Sequence, residues 1–166
     1  SDGQVNLADN ALKKALEHPS QDPMIQDLLG TVFTQMGEHN KAQECFKLAN
    51  ELQPNHPPYM LNCANNFVYH GKLEQSEEML EKVIQIQPNS PQAHWSLSGS
   101  KTARDESHIS TMQSLASQSN IHPRALPFYQ YAIGKEFEDL KQWDNAFEAF
   151  SKGAEARRKT VDFDEK

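Results

Sequence analysis

The sequence predicts an all-α fold, a right-handed solenoid of helix-turn-helix repeats, and three observations carry that prediction. The first is a spacing. Leu29-Gly30, Phe33, Gly37, Ala42, Phe46, Ala49 and Pro54 each find a counterpart 34 residues later in Cys63-Ala64, Phe67, Gly71, Ser76, Leu80, Val83 and Pro88. The second is the character of the recurring sites: small stays small, and large apolar stays large apolar. The third is another copy near the end, Ile133-Gly134, Phe137, Trp143, Ala146, Phe150 and Gly153. A period of this length marks stacked helical hairpins, each needing its neighbour to bury an apolar face.

Each element follows from local chemistry. Pro23 opens a helix, where the N–H that proline lacks would have no intrahelical partner. Gly37 ends that helix, because a left-handed residue there is cheap for glycine. A second helix runs from about His39 to Leu52 and stops before Pro54. Pro57-Pro58, Gly71 and Pro88 punctuate the next repeat in the same way. Gly30, Ala64 and Gly134 allow close approach of the first helix of each pair, and Ala42, Ser76 and Ala146 that of the second. The Phe, Leu and Val sites between them fill the core, at about 1.5–3 kcal/mol for each large side chain buried.

The repeats span 23–56, 57–90, 91–126 and 127–160, with a partial repeat over 1–22 and a tail over 161–166. Ala8, Leu12 and Ala15 lie 34 residues before Ala42, Phe46 and Ala49, so the leading segment reads as a second helix without its first. On that reading the chain is cut from a longer array, or else the lone helix serves as a cap, and the cut is the favoured expectation. The repeat over 91–126 is irregular. Ser98, Gly99 and Ser100 weaken its first helix, and Lys101 stands where other copies carry Phe. Asp105 can cap a new helix at about 106–118, with Ile109, Met112, Leu115 and Ala116 on one face. The last pair is expected over about Pro123–Lys141 and Trp143–Lys159, with Arg157, Arg158 and Lys159 complementing the helix dipole.

Composition narrows the function classes. The 166 residues carry a net charge of -7, and the single cationic run is Arg157-Arg158-Lys159. Nucleic-acid binding needs clustered cations facing phosphates, so it is not expected. No apolar run approaches the ~18–20 residues of a membrane span, and Cys45 and Cys63 form no CxxC pair. The expectation is a cytoplasmic protein with reduced, buried thiols. Seven histidines form no HxxH or HxxxH pair and read as scattered surface groups, with His94 and His108 able to meet across a helix pair. No metal or cofactor is expected. Acidic pairs such as Glu77-Glu78 and the Glu136, Glu138, Asp139 set read as solvated helix faces. No catalytic triad, GxGxxG or GxxxxGK[ST] motif is present.

The matched residues resemble the tetratricopeptide repeat, whose pattern is W-x2-L-G-x2-Y…A-x3-F…P. The Trp of that pattern is replaced by Gln26, Met60 and Gln130. A narrower likeness runs through Ala93-His94-Trp95, His108-Ile109, Met112, Leu115, Tyr131-Ala132-Ile133-Gly134-Lys135, Asp139-Leu140, Ala146-Phe147 and Arg157-Arg158. These residues look like the repeat region that precedes the catalytic domain of bacterial tetratricopeptide-repeat sulfotransferases. That resemblance implies a substrate-docking or dimerising arm, with the catalytic domain outside this chain.

A solenoid of this kind offers an open groove lined by the first helices. The residues expected there are Gln35, Asn62, Asn65, Tyr69, Tyr131 and Lys135. A carboxamide both donates to and accepts from a peptide backbone, and tyrosines offer flat amphipathic area. Lys135 could receive a carboxylate. Some tetratricopeptide domains grip chaperone C-termini with two Asn and several cations. Asn62 and Asn65 resemble the amide half, but Asp27, Thr31 and Leu61 occupy the cationic half. The expected function is therefore a non-catalytic scaffold holding a protein or peptide segment, with self-association or packing on an attached domain as further partners.

Overall fold

The structure is a computed structural model, and it describes residues 20–161. All regular elements among the described residues are α-helices. They are α1 (Pro23–Gln35), α2 (His39–Leu52), α3 (Pro57–Tyr69), α4 (Leu73–Ile86), α5 (Pro91–Ser100), α6 (Ser107–Ala116), α7 (Leu126–Asp139) and α8 (Trp143–Thr160). The leading half-repeat around Ala8, Leu12 and Ala15 lies outside the described residues, as does the tail beyond Val161. Two compact units divide the chain, Ser1–Gly71 and Lys72–Lys166. No described helix is long and apolar enough to cross a membrane.

In the first unit α1 and α2 form a hairpin. The Asp22 carboxylate accepts from the Met24 N–H at 2.9 Å and caps α1. At the other end Gly37 adopts φ 77°. There the Glu38 N–H reaches Phe33 O at 2.9 Å and the Gly37 N–H reaches Thr34 O at 3.1 Å, the paired bonds of a Schellman cap. The hairpin closes because Gly30 has no side chain. A Cβ there would lie 2.5 Å from the Phe46 ring, which is 3% exposed. Helix α3 packs on α2 and is tied to it by two carboxamides. Asn50 Nδ2 donates to Tyr59 O at 3.0 Å, and Gln43 Nε2 to Cys63 Sγ at 3.3 Å. Cys45 and Cys63 are free and buried, and burial pushes both thiols up, away from the reactive thiolate.

In the second unit the core gathers Ile109 and Met112 of α6, Tyr129, Ala132, Ile133 and Phe137 of α7, and Ala146 and Ala149 of α8. The irregular repeat has the expected short first helix: α5 is 10 residues long where α1 and α3 are 13. Asp105 accepts from the Ser107 N–H at 2.9 Å, next to the start of α6. Lys101, standing where other copies bury Phe, turns instead toward Glu77 and Glu81 at 3.9 Å each.

Two details depart from expectation. The helix expected from Pro123 begins at Leu126. A start at Pro123 would put Pro127 in the helix interior, where its ring clashes with the carbonyl of residue 123; a start at Leu126 puts Pro127 in the first turn. The second detail is the cap of α7. The Gln142 N–H reaches Phe137 O and the Lys141 N–H reaches Glu138 O, both at 2.9 Å, so the Schellman cap of the first hairpin recurs. The left-handed residue here is Lys141 at φ 60°, not glycine.

Candidate functional site

Four of the six expected groove residues come together in the first unit. Gln35 of α1 and Asn62, Asn65 and Tyr69 of α3 line one depression of about 190 Å³, with Thr31, Thr34, Phe46 and Asn66. Helix geometry explains the gathering, since residues three, four and seven apart share a face. Their availability differs. Asn62 Nδ2 donates to both carboxylate oxygens of Asp27 at 3.0 Å, so its N–H groups are engaged and its oxygen is left to accept. Burial raises the Asp27 carboxyl pKa, and the Asn62 bond and nearby His56 work against that rise. Thr31 and Thr34 hydroxyls donate back to Asp27 O and Gly30 O. The Tyr69 ring is exposed and stacks on His39, with centroids 4.3 Å apart and planes 10° apart. Stacking fixes the ring without hiding its outer face.

Tyr131 and Lys135 belong to α7 in the second unit. Tyr131 packs along α8, where a Cβ at Gly153 would lie 3.1 Å from its ring. Lys135 has internal partners. Its ammonium donates to Lys101 O and, at 2.7 Å, to Asp139 Oδ2. Asp139 Oδ2 also accepts from the Ala103 N–H at 2.8 Å. Lys135 and Asp139 thus anchor the α5–α6 connection, and among the described residues one ammonium N–H remains for another acceptor.

The second unit also holds a polar chain that corrects two expectations. Glu136 is not on a solvated face: it is 0% exposed, as is His94. Pro88 O accepts from His94 Nε2 at 2.8 Å, which leaves the neutral His94 with a bare Nδ1. His108 Nε2 lies 2.8 Å from that nitrogen and must donate to it. His108 Nδ1 then meets Glu136 Oε1 at 2.6 Å with one proton between them. Imidazolium with carboxylate, or imidazole with carboxylic acid, the pair is neutral overall. The groups form a line and do not converge on a point. The two facing imidazole nitrogens are too close to hold between them an ion that takes nitrogen at about 2.0–2.1 Å.

This chain predicts a pH dependence. Burial, with some help from His108, holds the His94 pKa below its ordinary 6.5, against the opposing pull of Pro88 O and Glu136. A histidine with a depressed folded-state pKa is protonated more readily in the unfolded chain. Its contribution to stability is therefore complete above pH 6.5 and is lost as pH falls through the folded value. Melting temperature should fall on acidification below neutrality. A His94→Gln variant should show a shallower fall over the same interval, whatever its absolute stability.

Together the helical hairpins define an all-α repeat fold of the tetratricopeptide type. Residues 25–56 match the family model for the tetratricopeptide repeat. Among solved structures, the chain resembles MamA, residues 41 to the end, from Desulfovibrio magneticus RS-1, at 21% identity over 90% of this chain and 83% of that one, with a TM-score of 0.64. It also resembles a thermophilic TPR protein of Thermus thermophilus, at 18% identity over 96% and 87%, with a TM-score of 0.66. At these identities the likeness establishes the fold alone. No curated protein sequence gives a significant match.

Proposed function

We propose that this chain is a non-catalytic scaffold that holds an extended protein or peptide segment. The depression lined by Gln35, Asn62, Asn65 and Tyr69 is its contact face in the first unit. Tyr131 and the remaining N–H of Lys135 offer contacts in the second. The supporting observation is the set of groups beside that depression. Among the described residues the side chains of Gln35 and Asn65 make no hydrogen bond, and the exposed Tyr69 ring lines the same depression. Carboxamides beside a fixed aromatic ring suit a peptide backbone better than a small apolar ligand. The alternative, an arm serving a sulfotransferase domain, rests on the residue likeness between 93 and 158 alone.

The test is a peptide-library screen of the full chain, followed by an Asn65→Ala/Tyr69→Ala double variant. Both side chains are at least partly exposed, so folding should survive. Affinity for the selected peptides should fall about tenfold or more, as for a small cluster of contact residues. Equal affinity at an unchanged melting temperature would remove the depression from the binding face.

A further inference from the structure

A second pocket, of about 550 Å³, lies wholly within the second unit, where α5 begins, α6 ends, α7 begins and α8 ends. Its lining is unusual for a chain of net charge -7. Arg124 and Arg157 contribute two guanidiniums, and no lining residue is acidic. Among the described residues neither guanidinium pairs with a carboxylate, although most lysines near acidic side chains do. The other polar groups extend the same donor chemistry. The Arg124 N–H donates to His122 Nδ1 at 3.2 Å, which fixes the proton on Nε2 and leaves that N–H to donate outward. Gln118 and Asn120 add carboxamide N–H groups. Part of the wall is apolar: Phe128, half-buried, lines it and packs edge-to-face with Trp95, centroids 5.9 Å apart.

The geometry points to a binding site for an acidic peptide segment, with carboxylates on Arg124, Arg157 and His122 and an aromatic or large apolar residue against Phe128. Peptide is favoured over a free small anion for an energetic reason. Both arginines are exposed, and an exposed ion pair contributes little by itself. One oxyanion on this open rim gains too little to offset the cost of association. Several carboxylates held together, anchored by one apolar side chain in the pocket, gain from each pair at a single such cost. The site is separate from the depression of the first unit, so either can fail without the other.

The experiment uses the full chain and a fluorescent five-residue probe with a central Trp flanked by two Glu on each side. The comparison probe carries Gln in place of Glu. Saturable binding of the acidic probe is expected, with the Gln probe much weaker. Arg124→Glu/Arg157→Glu should weaken the acidic probe about tenfold or more, from two pairs reversed. Arg158→Glu, on the same helical turn but outside the pocket, should change little. If the double reversal does not fold, Arg124→Gln/Arg157→Gln replaces it, and raising salt from about 0.05 to 0.5 M should weaken the wild-type complex severalfold. Equal binding of the two probes, equal binding by the folded double variant, or complete displacement of the probe by equimolar inorganic phosphate would each overturn the assignment.

Discussion

Replacing Glu136 by Ala should cost about 3 kcal/mol, the lower end of the range for removing one partner of a buried pair, because His108 keeps some exposure. The carboxylate is 0% exposed and accepts at 2.6 Å from His108, whose other nitrogen holds His94. Truncation leaves His108 Nδ1 facing a cavity without its partner. It also lets His108 turn, which frees His94 from its role as acceptor. A conservative change separates chemistry from volume. In Glu136→Gln the amide N–H can donate to the bare Nδ1 of a neutral His108, so every bond along the chain to Pro88 O survives. That variant should lose about 1 kcal/mol, comparable with a single buried hydrogen bond. Chemical denaturation of both variants checks the ordering. Similar losses for Ala and Gln would mean that the site is held by packing and not by the proton shared between His108 and Glu136.

The same residue shows where the sequence stops being readable. Helix ends, the hairpin turns and the matched core sites follow from the 34-residue spacing. Gly30, Ala42, Phe33 and Phe46 are buried as their periodicity requires. Glu136 holds the repeat position of Val32 and Asn66, two residues past the small Gly134, Gly30 and Ala64. That register was at best a weak signal for burial, since Asn66 is 2% exposed but Val32 only half-buried. A charged residue type hid the register, because a glutamate in mid-helix is usually solvated. Its histidine partner lies 28 residues away in the irregular repeat, where the spacing gives no guide to what meets what. Lys141 is a second case. Gly37 and Gly71 announce their turns by type, whereas Lys141 takes the same left-handed backbone because the hairpin on either side requires it.

The candidate binding faces divide along similar lines. Gln35, Asn62, Asn65 and Tyr69 share one depression because a helical period places them there, and periodicity is visible in a sequence. The engagement of Asn62 by Asp27 and of Lys135 by Asp139 is not visible, because it depends on which side chains happen to reach each other. The pocket of Arg124 and Arg157 was hidden: Arg157 stands in the cationic run, but nothing in the sequence joins it to the other segments between Asn89 and Arg157 that line the pocket.

Leucine in place of the small residue at the hairpin crossing should be costly, and by different amounts in two repeats. A Cβ at Gly134 would lie 2.6 Å from two atoms of the Phe150 ring, and one at Gly30 would lie 2.5 Å from the Phe46 ring. Both are shorter than real contacts allow, so the ring must move. Phe150 is only partly buried and can swing toward solvent, giving up some of its packing. Phe46 is 3% exposed, so shifting its ring toward the neighbouring depression breaks buried contacts, and otherwise the helices must separate. Overpacking of this kind costs about 1–3 kcal/mol and occasionally more. The helix propensity gained on losing a glycine returns at most about 1 kcal/mol, so the clash decides the sign. Gly134→Leu should therefore fall within the overpacking range and Gly30→Leu at or above its upper end. Thermal and denaturant unfolding of the two variants would show it. A Gly30→Leu chain as stable as the wild type would mean that α1 and α2 do not cross where the small residues place them, and the repeat register itself would need to be redrawn.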